Sequence, residues 1–150
     1  MTRTNAREIA VRLCFSLSEN PRDPEEVLRD MFDEEYYSTL EEEDSAFSAQ
    51  PDDKQMKYII RVVRGISAHS AELDGYIDKY AQGWQFSRIS RTALAIIKTA
   101  MFEILYMADE VPERVAVNEA VELAKRYDEP ETVPFVNGVL GSFVKNEVVR

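Results

Sequence analysis

Cysteine occurs once in this sequence, at Cys14, so no disulfide can form within the chain and a disulfide-stapled scaffold is excluded. Long apolar runs are missing as well. A membrane-spanning helix needs roughly 20 consecutive apolar residues, and the most hydrophobic stretch, "ALAIIKTAMFEILYMA", is interrupted by Lys98 and Glu103. The N-terminus has no signal-peptide core, because Arg3, Arg7, Glu8 and Arg12 break it up. These absences make the cytoplasm the expected compartment. Glycine and proline are sparse, at five and six residues, which leaves little material for tight turns and favours helices joined by short connections. Histidine occurs once, at His69.

What is present fits a globular protein. The chain has 150 residues, 45% of them hydrophobic and 31% charged, enough for one domain with a continuous core. Its net charge of −10 disfavours a general nucleic-acid binder. The charge is unevenly placed, however. Residues 1–18 carry three arginines and one glutamate, whereas residues 19–53 carry fourteen acids against Arg22 and Arg29. Residues 54–150 balance at thirteen of each sign. The acidity therefore belongs to one segment, and the N-terminal tip is mildly basic.

Hydrophobic spacing reads as helix throughout. Asn5 and Glu8 form a capping-box pattern ahead of a stripe of Ala6, Ile9, Ala10, Leu13, Cys14 and Leu17, with the helix ending near Asn20-Pro21. Arg7 and Arg12 fall off that stripe and are expected to face solvent or a partner. Asp23-Pro24-Glu25-Glu26 opens a second helix. The acidic stretch over about 41–53 reads as a variable, solvated connection, with a helical start left open. Residues 53–81 form one long helix or two nearly collinear ones, bending near Gly65 or Gly75. Ser87 to Met107 is apolar around much of its circumference and is expected to be central. Val111-Pro112 opens a helix to about Tyr127, "DEPETVP" breaks it, and the last helix starts at Glu131 or Thr132. The expected fold class is an all-α bundle of six or seven helices.

Catalytic chemistry finds no footing in these residues. There is no glycine-rich phosphate loop and no nucleophile elbow. His69 reads as a polar surface residue without Cys, Asp or Glu at ligand spacing, and "EEED" lacks the glycine turn of a calcium loop. Cys14 reads as a core thiol. The expectation is a protein that is not an enzyme and needs neither metal nor cofactor. Trp84, Phe86, Tyr106 and Tyr127 are either stacking platforms or lids on the core. Asn118 and Asn137 are poor helix formers beside expected core positions, serving either as cross-links between helix ends or as recognition groups.

"VPERVAVNEAVELAKRY" followed by "FVNGVL" resembles the C-terminal half of the NusB family of transcription antitermination factors. "NAREIAVRLCFSL", "ELDGYIDKY", "WQFSRIS" and "TAMFEILYM" extend the resemblance upstream, with residues 20–53 the weakest part. The resemblance implies a NusB-like fold of two packed helical subdomains, and residues 1–150 acting as a single RNA-binding domain. It implies binding of boxA RNA together with NusE, which is ribosomal protein S-ten, within an RNA polymerase antitermination complex on ribosomal RNA operons. It places RNA contacts at Arg3, Arg7, Arg12, Phe15, Phe135 and Asn137, and NusE contacts near Glu103 and Tyr106. Some relatives self-associate, so a homodimer is an open alternative to a monomer.

One departure from the family pattern has a physical consequence. Some relatives carry a dense arginine run where this chain reads "MTRTNAR". Fewer phosphate contacts mean weaker binding by the protein alone, which implies greater dependence on NusE. Three other readings stand beside this one. NusB-like domains also precede some ribosomal RNA cytosine methyltransferases, but no catalytic domain follows here before Arg150. An interaction adaptor with weak or no RNA binding would suit the net charge. An enzyme using the acidic segment for metal is the third.

Overall fold

A computed structural model describes residues 1–33, 37, 51–84 and 89–148. The all-α expectation holds: among the described residues there are seven helices. They are α1 (Arg3–Glu19), α2 (Pro24–Met31), α3 (Asp53–Ala68), α4 (Ser70–Ala81), α5 (Arg91–Tyr106), α6 (Glu113–Tyr127) and α7 (Thr132–Glu147). The chain divides into two compact units, Met1–Ala68 and His69–Arg150. The acidic connection expected over 41–53 falls largely outside the described residues, as does Phe86.

In the first unit, α1 packs along α3, and α2 packs against both. Its buried side chains are largely aliphatic: Ile9 and Leu13 from α1, Val27 and Leu28 from α2, Ile59 and Val62 from α3. Burying each such side chain contributes about 1.5–3 kcal/mol. α2 starts as its sequence suggests. The Asp23 carboxylate accepts the Glu25 N–H at 3.0 Å, with Pro24 in the first turn. α1 starts earlier than the capping box implied. The Thr2 hydroxyl, not the Asn5 side chain, is the cap, accepting the Asn5 N–H at 3.1 Å.

In the second unit, α5 packs against α4, α6 and α7, and α7 also packs on α4 and α6. That enclosure is why α5 buries residues on nearly every side, including Thr99 and Glu103. It begins at Arg91, later than Ser87, because the Ser90 hydroxyl accepts the Ala93 N–H at 3.0 Å. The break between α3 and α4 falls at His69 (φ −106°, ψ 18°), not at Gly65 or Gly75. A glycine inside a helix costs only about 1 kcal/mol and does not by itself end it. Gly83 is different: its φ of +89° takes the chain out of α4 through the left-handed region that favours glycine.

The joint between α6 and α7 is organised by Asp128. Its carboxylate accepts the Ser90 hydroxyl at 2.6 Å, the Thr132 hydroxyl at 3.2 Å and the Glu129 N–H at 2.8 Å. One side chain thus ties the start of α5 to the turn that precedes α7.

Candidate nucleic-acid interface

The Thr2 cap places Arg3 at the opening of α1, and α3 receives it. Arg3 Nε donates to Gln55 Oε1 at 2.9 Å, and the guanidinium carbon lies 4.3 Å from the Tyr58 ring centroid. Gln55 is itself held, its N–H donating to Asp52 Oδ1 at 2.8 Å. Arg7, one turn further along α1, sits 5.8 Å from the same ring. A guanidinium over an aromatic face gains about 0.5–2 kcal/mol and stays planar and oriented. Two cations therefore meet on one buried tyrosine, and Arg3 makes no ion pair among the described residues.

Arg7 departs from its expected exposure. Only 2% of it reaches solvent, because every residue from Ala6 to Val11 is buried and the covered arc of α1 is wider than its apolar stripe. Glu8 lies in that covered arc too, with Arg12 Nη2 3.7 Å from its Oε1. Arg12 and Phe15 are half-buried. Arg3 and Arg7 are thus brought together, while Arg12 pairs with a carboxylate of its own helix. Cys14 is buried, as its place on the stripe required.

In the second unit, "FVNGVL" forms a surface of mixed character. Phe135 is buried, and the Trp84 ring meets it edge-on at 5.4 Å and 89°. A Cβ on Gly138 would fall 2.5 Å from Trp84 Cζ2, so the glycine is what lets the indole lie against α7. Asn137 and Asn118 are both exposed and make no side-chain hydrogen bond among the described residues. That excludes the cross-link role left open for them. Beside Phe135, Ile89, Ser90, Ala93, Asp128, Glu129, Glu131 and Thr132 line a cavity of about 200 Å³. Its three carboxylates would repel a phosphate.

The expected partner-binding pair separates. Glu103 is fully buried, so it does not lie on an exposed side of α5. Tyr106 is half-buried, and its hydroxyl donates to both Glu72 oxygens, at 2.9 and 2.8 Å. The bond to that carboxylate, more than burial, holds the Tyr106 phenol above its usual pKa. His69 joins the group, its ring stacked 4.4 Å from Tyr106 and its Nδ1 3.2 Å from Glu72 Oε2. His69 is therefore not an isolated surface residue. Glu72, three positions on, was the sequence sign of this arrangement. Among the described residues no three His, Cys, Asp or Glu side chains gather in a way that could hold a metal ion. No helix of the described residues is long and apolar enough to cross a membrane.

Comparison with known proteins places this geometry in context. Residues 4–145 match the model of the NusB family. The chain is similar to the transcription antitermination protein NusB of Acetivibrio thermocellus, 39% identical over 145 residues, covering 97% of this chain and 90% of that protein. The NusB of Levilactobacillus brevis is 38% identical over 148 residues, covering 98% and 95%. A solved structure of T. maritima NusB superposes with a TM-score of 0.77 at 26% identity, covering 97% of this chain and 92% of that one.

Proposed function

This chain belongs to the NusB family, and from that premise we propose that it is a transcription antitermination factor that binds boxA RNA together with NusE and promotes transcription of ribosomal RNA operons. The observation that carries the RNA-binding part is the start of α1. Arg3 is oriented by Gln55 and Tyr58 with no ion pair among the described residues. A planar guanidinium held in place loses less freedom on meeting a phosphate than a mobile side chain does. Arg3 is the contacting cation, and Arg7, buried beside it, supports its seat on Tyr58. Arg12 and Phe15 extend the same helix. Asn137 offers an unengaged amide for a base edge or sugar, and Phe135 fixes the backbone beneath it. For NusE, Tyr106 is the accessible member of the pair on α5, and Glu103 acts through the packing of that helix.

Fluorescence anisotropy of a labelled boxA RNA tests this reading. The protein is titrated with and without NusE, at two salt concentrations, beside a scrambled RNA. The expected result is selective binding that tightens when NusE is present. Binding of NusE without selective RNA binding in any condition would instead identify an interaction adaptor on a NusB scaffold, which the net charge of −10 would suit.

A further inference from the structure

Lys54, Lys57, Arg61 and Arg64 follow one another along α3 at spacings of three and four residues, and all four are exposed. Such spacing puts them on a single face of the helix. Their commitments differ. Arg64 is taken up by Glu25, with Nη2 2.9 Å from Oε2 in a two-pronged pair. Lys54 and Lys57 make no ion pair among the described residues. They are also the chain neighbours of Gln55 and Tyr58, the two residues that seat Arg3. The nearby Asp52 carboxylate is engaged by the Gln55 N–H at 2.8 Å.

We infer that Lys54 and Lys57 of α3, together with Arg3, form a track that binds the phosphate backbone of single-stranded RNA. The inference rests on the RNA-binding reading above and adds to it a surface outside the N-terminal tip. It explains how a chain with few arginines at its start can still hold RNA: the missing cations are supplied by a second helix. A polyanion fits this surface better than a protein partner does. Protein interfaces centre on apolar and aromatic side chains, and the exposed large hydrophobic residues among those described are Trp84, Val115 and Tyr127, all in the second unit. Lysine ammonium groups act as point charges without base preference, so the track sets affinity and leaves sequence choice to other contacts.

The test is the salt dependence of boxA RNA binding by the full chain with NusE, for wild type, Lys54→Ala/Lys57→Ala and Arg3→Ala. Each phosphate contact on a single strand contributes about 0.7 to the slope of log affinity against log salt. The double variant is expected to flatten the slope by roughly 1.4 and Arg3→Ala by about 0.7, equally on boxA and scrambled RNA. Arg114→Ala/Lys145→Ala removes two exposed second-unit cations that lack ion pairs among the described residues, and should leave the slope unchanged. Lys54→Gln/Lys57→Gln, which keeps an extended polar side chain without the charge, should reproduce the loss. An unchanged slope in the lysine variants would overturn the track. So would a loss of NusE affinity with RNA binding intact, which would mark a protein-contact face. Failure of the wild type to bind RNA at all would bring down the RNA-binding reading and this one together.

Discussion

The two units solve the same problem, joining helices that each bury one face, with different side chains. The first unit closes its interior with aliphatic residues around buried Tyr37 and Tyr58, and sets charge against it: Arg3 on Tyr58, Arg64 on Glu25, Arg12 near Glu8. The second unit adds more ring contacts to its aliphatic core. Tyr76 and Tyr80 meet Phe143 edge-on at 5.1 and 6.2 Å, Phe102 packs 5.3 Å from Tyr106, and Trp84 lies against Phe135. Carboxylates then fasten the tyrosine hydroxyls, Glu147 accepting from Tyr80 at 2.5 Å and Glu72 from Tyr106. A charge answered inside its own unit stabilises helix packing. A charge left unanswered, as at Arg3, Lys54 and Lys57, remains available to an external anion.

The contrast breaks most visibly at Phe143. Removing a fully buried ring held by two tyrosine edges is expected to cost about 3–5 kcal/mol. A urea titration of Phe143→Ala should show the lowered midpoint. Under conditions where the variant stays folded, its RNA salt slope should match wild type, because the proposed phosphate contacts lie in the other unit. A flattened slope would show that the cations need the aromatic cluster after all.

A smaller effect is expected at Gly83. An alanine at φ +89° would be held in the left-handed region at a cost of about 1–2 kcal/mol. Among the described residues nothing lies within 4 Å of the added Cβ, so no side-chain clash is expected. Thermal unfolding of Gly83→Ala should therefore show a modest drop that comes from the backbone alone. Equality with wild type would mean that the turn relaxes.

The smallest effects should come from two surface ion pairs, one taken from each unit. Glu25 is lowered below the ordinary carboxylate range by its hydrogen bond to Arg64, and Glu147 by its hydrogen bonds to Lys79 and then Tyr80. A depressed folded-state pKa stabilises above the unfolded value and loses that contribution as pH falls through the folded one. The difference in melting temperature between wild type and Glu147→Gln, or Glu25→Gln, should thus be present near neutrality and fade only as pH falls below the ordinary carboxylate range and through the lowered folded pKa. A difference that persisted in acid would point to lost packing in place of lost charge.

Most of the helices were legible because apolar residues at helical spacing record which side of a helix is covered. Their starts were less so, since a cap depends on which hydroxyl reaches which N–H. Thr2 did so where Asn5 had been expected, and Ser90 caps α5 without having been singled out. The site residues were harder to read for a related reason. Periodicity locates the centre of a covered face but not its width, so buried Arg7 looked external. Glu103 carried a usable sign: a helix apolar around much of its circumference has little exposed side on which to place a contact. Asn118 and Asn137 carried one as well, lying between inward positions and therefore facing out. The pairing of Arg3 with Gln55 joins residues 52 apart in the chain, which no local pattern encodes.

Trp84 is the only tryptophan in the chain, and it sits 39% exposed against Phe135, with Gly138 beneath its ring and Asn137 next in line on α7. The protein therefore carries one tryptophan fluorophore, excitable apart from its seven tyrosines and placed at the margin of its proposed recognition surface. Its emission needs no attached dye, reports a single environment, and is open to quenching by whatever stacks on or covers that side of α7.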